Sequence, residues 1–403
     1  MAFVRSTTFG GAAADATNYV NLLQLLVRFL TGVDAWTSTV TGGVLLHYVR
    51  GRASSVAETW TITCTNAGTG TFSVVGSVSG AKADATVGTP YDNGFIAFTL
   101  VNRTGAAVNG DVFTVNTYAS GLAAAGQSWQ LIRSTYSAPT YTYYLRGLGL
   151  AGTDEIYVNL RNYESVASDY YNIAITGASG HLLTSDGVSL QPNPSQSQHL
   201  CLLNSTIPYL FIADGRHFKG VARASTVSYE SFFAGLFLPT GLPSEYPYPL
   251  AVGGSCSAAN VRYNTSSGEN GSYHRAFFNP NNGLSVLRKS GTWSQFQNYY
   301  LASSQDYIYG ADTANYVSPW NESVVNRCLN AGVIDSSSAY LLRPAVLHSG
   351  NPNDVLGDLQ GVYMIPGYTQ LPENTTTIGG VDYFILPNAV RSGFNDFAAF
   401  KME

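Results

Sequence analysis

Between Asp15 and Gly32 the apolar residues Val20, Leu22, Leu23, Leu26, Val27, Phe29 and Leu30 recur at helical spacing. Residues three and four apart lie on one helix face, so this spacing predicts a helix over 15–31. Asp15 suits its N-cap and Gly32 its C-terminal stop. The apolar positions cover more than one face. Such a helix is either a core helix buried on two sides or a contact helix paired with a copy of itself. Under the second alternative, Leu22, Leu23, Leu26, Phe29 and Leu30 are the candidate subunit-contact residues.

Beyond Trp36 the pattern changes to strands. They are expected at 44–49, 60–64, 71–78, 95–100 and 112–117. Asn93-Gly94 and Asn109-Gly110 punctuate them, dipeptides that accept the positive φ of tight turns. The stretch 57–121 therefore reads as a small β-sandwich inserted into a larger domain. That domain holds the helix and first strands in 1–56 and continues as a β-rich central part in 122–250. Strands at 140–145 and 155–160 precede the clearest hairpin of the chain, Tyr209–Ala222, which turns at Asp214-Gly215. Pro239, Pro243, Pro247 and Pro249, interleaved with Tyr246 and Tyr248, exclude helix and central strand and suit an ordered connector. The remainder, 251–403, reads as a loop-rich β-domain, with strands resuming at 342–347, 361–365, 383–386 and 398–402. The fold class is mainly β: a multi-domain β-sandwich or β-rich chain with one N-terminal α-helix.

Composition narrows the function. Only 11% of the 403 residues are charged, against roughly 25% in ordinary soluble domains. A net charge of −5 without any basic block argues against a nucleic-acid partner. A surface this poor in charge must be covered by Ser, Thr, Asn, Gly and Tyr, or lost in contacts between subunits. No apolar run approaches the roughly 18 residues needed to span a bilayer, so no membrane insertion is expected. The opening residues lack a leader pattern, which points to synthesis in the cytoplasm. Cys64, Cys201, Cys256 and Cys328 are scattered, with no C-x-x-C pair, and read as free thiols of a reducing compartment.

Candidate chemistry is sparse. Gly147-Leu-Gly-Leu-Ala-Gly152 matches G-x-G-x-x-G, but the residues after it have a strand pattern where a dinucleotide fold opens a helix. A glycine-rich bend between two strands accounts for it. The histidines His47, His181, His199, His217, His274 and His348 are far apart. His199 and Cys201 fall on one face of a strand, without the distant pairing a Cys–His nucleophile normally has. Asp154, Glu155, Glu164, Glu230, Glu245 and Asp358 are the carboxylates from which a glycan hydrolase would draw its acid and base. Turn capping and surface hydration account for them better. No catalytic residue, metal site or cofactor is expected. The tyrosine clusters Tyr141, Tyr143, Tyr144 and Tyr299, Tyr300 could stack on sugars or fill a β-core.

Several stretches resemble virion structural proteins of tailed bacteriophages. They include Thr-Pro-Tyr-Asp-Asn-Gly-Phe-Ile-Ala-Phe-Thr-Leu at 89–100, Asn-Gly-Asp-Val-Phe-Thr-Val at 109–115 and Leu-Ala-Gly-Thr-Asp-Glu-Ile-Tyr-Val at 150–158. Ser-Tyr-Glu-Ser-Phe-Phe-Ala-Gly-Leu-Phe-Leu-Pro at 228–239 and Gly-Gly-Val-Asp-Tyr-Phe-Ile-Leu-Pro-Asn at 379–388 are similar to the same group. The resemblance implies a non-enzymatic part of the tail or baseplate region, made in the host cytoplasm and carried in the virion. Its partners would be further copies of itself and other virion proteins. It brings no site residues. The second function class is a receptor- or glycan-binding tail tip, with a host surface glycan as partner. A neck or collar protein and a glycan hydrolase come after it.

Overall fold

The computed structural model describes residues 1–119, 122, 128–153, 155–182, 192–239, 250–257, 261–263, 284–287, 291–295, 342–350, 353–365, 370–387 and 397–403. The Pro/Tyr run after Pro239, most of the 254–305 stretch, Asp154, Glu245, Tyr299, Tyr300, His274 and Cys328 lie outside these residues. The chain is mainly β, with four sheets and one α-helix among the described residues.

The helix spans Tyr19–Thr31 and ends at Gly32, whose φ of 70° is the left-handed conformation that glycine adopts without strain. Its start differs from the expectation. Asn18 is the N-cap, its side chain accepting the Asn21 N–H. Asp15 instead accepts the hydroxyl and backbone N–H of Thr8. The leucine face settles the helix's role. Leu22, Leu23, Leu26, Phe29 and Leu30 are all buried inside the chain's own core, Leu26 at 1% exposure. The helix packs against strands Val44–Gly51, Gln130–Ser137, Ile156–Ser165 and Tyr170–Ala178 on one side, and against Tyr209–Ala213 on the other. Burial on two sides explains its many apolar faces, and it leaves those five side chains unavailable to a second subunit.

A seven-stranded antiparallel sheet forms the central layer. Its order is Ala2–Arg5, Tyr209–Ala213, His217–Arg223, Tyr229–Leu236, Leu250–Gly253, Leu284–Leu287, Trp293–Gln295. Alternation sends Tyr209, Phe211, Phe218, Phe232 and Val252 to the core shared with the helix. Leu210, Ile212, Val221, Phe233 and Ala251 go to a second core on the other face. A strand buried on both faces shows no polar alternation, which is why Tyr209–Ala213 reads as a continuous apolar run. The second core is closed by a six-stranded sheet from the C-terminal part: Leu238–Pro239, Asn353–Met364, Phe397–Lys401, Val381–Pro387 and Thr375–Ile378, with Arg343–Gly350 pairing Asn353–Met364.

An eight-stranded sheet covers the helix from the other side. Its order is Gln198–Leu202, Tyr170–Ala178, Ile156–Ser165, Thr140–Gly147, Gln130–Ser137, Val44–Gly51, Ile96–Asn102, Pro90–Asp92. The Gly147–Gly152 segment is the bend between two of these strands, with Gly149 and Gly152 at positive φ. The fourth sheet runs Thr37–Thr39, Val112–Thr117, Glu58–Asn66, Thr71–Gly76, Gly80–Thr86.

Strand pairing runs across the expected boundary at 56/57. Val112–Thr117 pairs with Thr37–Thr39, and Ile96–Asn102 pairs with Val44–Gly51. The two-sheet unit therefore spans Thr37 to Thr117, and its ends meet. The Tyr118 N–H donates to the Gly32 carbonyl at 2.9 Å, and the Asp34 N–H to the Asn116 carbonyl at 3.2 Å.

Candidate functional site

On the eight-stranded sheet, Tyr143, Leu145, Val158, Leu160, Ile173 and Ile175 face the helix. The alternate positions face outward. Register sets them in two cross-strand rows: Tyr144, Asn159 and Thr176, then Thr142, Arg161, Ala174 and His199. A cavity of about 580 Å³ opens over these rows, bounded further by Tyr163, Pro194, Ser195, Ser197 and Ser257. Among the described residues its lining is rich in hydroxyls and holds one cation, Arg161, and no carboxylate. Arg161 is exposed.

Two side chains in this lining are buried with unmet hydrogen-bonding capacity. Asn159 is 6% exposed and its Oδ1 has no partner among the described residues. His199 is 4% exposed, and the one partner its ring meets among the described residues is the Cys256 carbonyl, at poor geometry for Nδ1. Burial pushes the His199 pKa down to about 4, only partly opposed by the Cys256 carbonyl, so the ring is neutral at pH 7. Thr176 and Ser197 share a hydroxyl–hydroxyl hydrogen bond of 2.8 Å at one wall. The arrangement suits non-covalent recognition. Among the described residues it offers donors, acceptors and one positive charge.

A second polar cluster lies in the central sheet, at the hairpin turn. Asp214 Oδ1 accepts the N–H groups of Arg216 and His217 at 2.8 and 3.0 Å, the side-chain-capped turn that Asp-Gly favours. The Asp214 carbonyl takes the Trp129 indole N–H at 2.8 Å. His217 Nδ1 lies 3.2 Å from Asp214 Oδ1. Its Nε2 lies 3.3 Å from Lys219 Nζ, which donates to the Gln360 carbonyl at 3.0 Å. Lys219 has no exposed surface. Burial lowers its pKa to about 7, with Asp214 opposing and Lys401 assisting. Burial, then the Lys219 charge, lowers His217 to about 4. For Asp214 burial acts upward but is outweighed by His217 and the two backbone donors, so its carboxyl titrates well below the usual range. Gln360 belongs to the C-terminal sheet and also accepts from Arg216 at 2.7 Å. The cluster thus ties the central sheet to the C-terminal one, an inter-sheet bolt enclosed by protein.

The remaining sequence candidates separate. Glu155 pairs with Arg146 at 2.7 Å and accepts the Tyr157 hydroxyl. Glu164 accepts the Tyr19 hydroxyl, Glu230 accepts the Cys201 N–H, and burial raises Asp358 on its C-terminal strand. They serve different parts of the fold. His47 is buried and its pKa is lowered to about 4 by that burial. His181 sits 2.9 Å from the Tyr48 hydroxyl. The His348 side chain lies outside the described residues. Among those residues no three His, Cys, Asp or Glu side chains group as metal ligands. Cys64, Cys201 and Cys256 are buried free thiols. His199 and Cys201 do share a face: His199 reaches the cavity, while Cys201 packs with Cys256. In the tyrosine cluster only Tyr144 lines the cavity. Tyr143 is buried on the opposite face, and Tyr141 stacks at 4.4 Å on Tyr136. The T-x-Y, N-x-R-x-Y, A-x-T and S-x-H strings on four strands were the signal for the cavity, and they become one site only once the register is known.

No protein-family model matches the sequence, and no curated protein matches it. Among solved structures, two crystal forms of FlgL from Xanthomonas campestris align at 20% identity over 23% of this chain, with a TM-score of 0.18. The alignment spans 32% of the FlgL chain. A superposition of that quality carries no argument about fold or function.

Proposed function

We propose that the chain is a non-enzymatic structural component of a tailed-phage virion, in the tail or baseplate region, working as a homo-oligomer in contact with other virion proteins. The observation that carries the assembly part is the state of two sheet edges. Among the described residues Thr37–Thr39 and Thr375–Ile378 are edge strands without a single charge, and Thr37, Ser38, Thr39, Thr375 and Thr377 are exposed. An open ladder templates pairing with another chain, and monomeric β-proteins blunt it with lysine, proline, a bulge or a short strand; of these devices the two edges here have brevity alone. A chain with only 11% charged residues also has few ions to desolvate on association. The resemblance at 89–100, 109–115, 150–158, 228–239 and 379–388 supplies the virion part of the reading.

The test is the native mass of the purified full chain, by mass photometry or light scattering. A discrete oligomer that dissociates when Ser38 and Thr375 are both changed to lysine supports the reading. A wild-type monomer at every concentration overturns it.

A further inference from the structure

We infer that Cys201 and Cys256 are a site of oxidative cross-linking, a buried dithiol that closes into a disulfide and fastens the edge of the eight-stranded sheet to the central sheet. The inference goes beyond the assembly reading and does not rest on it. Backbone geometry places both side chains on one face. The N–H groups of Ser255 and Cys256 both donate to the His199 carbonyl, at 2.9 and 3.1 Å, and the His199 N–H donates back to the Cys256 carbonyl at 2.6 Å. Two residues thus oppose one, the pattern of a β-bulge, which re-aims side chains locally. Cys201 stands two residues beyond His199 on Gln198–Leu202, and alternation returns it to the His199 face. There the two thiols meet. Cys201 and Cys256 share one apolar cluster with Val261, and the Cys201 thiol is hydrogen-bonded to that of Cys256. Both are free and buried, at 0% and 1% exposure.

The position makes such a link consequential. Among the described residues Gln198–Leu202 is an edge strand of the eight-stranded sheet. Past His199 its outer ladder is taken up by a side chain: the Cys201 N–H donates at 2.9 Å to Oε2 of Glu230, on the central sheet. Cys256 follows Leu250–Gly253, another strand of the central sheet. The link joins the two sheets where their backbone pairing ends. It closes a loop of 256 − 201 = 55 residues that contains the Tyr209–Ala222 hairpin. A cross-link over a loop of that length removes much of the unfolded chain's freedom. The step balances with a peroxide as oxidant. The hydrogen bond from Cys256, burial and the Glu230 charge hold the proton on Cys201, so the Cys256 sulfur attacks first. It bonds to one peroxide oxygen, the O–O bond breaks, and the Cys256 proton leaves with the other oxygen as water. The Cys201 sulfur then displaces the hydroxyl of the resulting sulfenic acid. The S–S bond forms, and a second water carries off the Cys201 proton. The two sulfurs lose two electrons and the peroxide gains them. A reducing compartment keeps the pair open, and an oxidising one closes it.

The test is non-reducing peptide mapping by mass spectrometry on the purified full chain, treated with dilute hydrogen peroxide or with a phosphine reductant. Peroxide is expected to yield a Cys201–Cys256 peptide pair lighter by two hydrogens than its parts, with Cys64 still free to alkylate. The reductant is expected to abolish the pair. The thermal midpoint of the oxidised chain is expected to lie about 5 °C above that of the reduced chain, and Cys256→Ser to show no peroxide-dependent rise. Cys201 and Cys256 still free after peroxide, either one linked to a different cysteine, or either one carried to a sulfinic acid without a link overturns the site. A link without a rise in midpoint, or an equal rise in Cys256→Ser, overturns the fastening of the two sheets. The link lies within one chain and leaves the native mass unchanged, so this inference and the assembly reading fail separately.

Discussion

Replacing Lys219 by Met tests the inter-sheet bolt quantitatively. Met keeps the unbranched shape and removes the only ionisable atom. In the folded chain Lys219 is wholly enclosed and titrates near 7, from an ordinary value of 10.5. Between those two values the unfolded chain holds a proton that the native chain has released, so stability rises with pH across this window. Below pH 7 both states are protonated and the lysine adds no slope. Integrating from pH 6 to pH 9 with these two values gives a gain of about 3 kcal/mol from this one group. The Met variant lacks that gain. It also leaves the Gln360 carbonyl without its Nζ donor, a cost of about 1–3 kcal/mol that does not vary with pH. Urea unfolding of both proteins at pH 6, 7, 8 and 9 gives the comparison, because groups remote from Lys219 cancel in the difference and His217, whose value the Lys219 charge lowers, adds slope only at the acid end of the range. The wild type is expected to gain on the variant by about 3 kcal/mol over the range, with most of the change above pH 7. Parallel curves would refute the reasoning, since they would mean that Lys219 titrates at its ordinary value in the folded state.

Three further outcomes follow from the fold. Leu26→Ala is expected to cost about 2–5 kcal/mol, the usual range for emptying a packed leucine site, and Leu26→Asp to yield no soluble chain. A Leu26→Asp protein with wild-type melting behaviour but lost self-association would restore the helix as a subunit contact. Between pH 6.5 and about 4, stability is expected to fall as pH falls. His47, His199 and His217 have folded values near 4, so the unfolded chain takes up protons first; a flat thermal-melt profile over that interval contradicts their burial as neutral rings. Excising 58–117 removes the partners of both Thr37–Thr39 and Val44–Gly51 and is expected to leave insoluble protein. Excising 36–117 instead also removes Val44–Gly51, Ile96–Asn102 and Pro90–Asp92 from the sheet that covers the helix, and is expected to lower the melting temperature or leave insoluble protein; a remainder with a wild-type melt would contradict the shared core.

Local chemistry explains what was legible in the sequence. The Tyr209–Ala222 hairpin was readable because Asp214-Gly215 can form only a few turns, and the side chain of Asp214 makes one of them. The helix was readable from its spacing and from Gly32. Its role was not, because a leucine stripe looks the same whether a second sheet or a second subunit covers it. The small sandwich was misplaced by some twenty residues at its N-terminal end, since Thr37–Thr39 is too short to show alternation and finds its partner 73 positions away at Val112. Lys219 gave no sign of burial: its strand reads as solvated on one face, and only the C-terminal sheet laid over it shows otherwise. The cavity was least legible. Tyr144, Asn159 and Thr176 are unremarkable in sequence and become neighbours through register alone.

The assembly account is tested most directly in the particle itself. Phage encoding this chain would be purified on a density gradient and its proteins quantified by mass spectrometry against isotope-labelled standards. The account predicts the chain in intact particles at a fixed integer copy number greater than one, retained through high-salt washing. Particles that are infectious and free of the chain would contradict it.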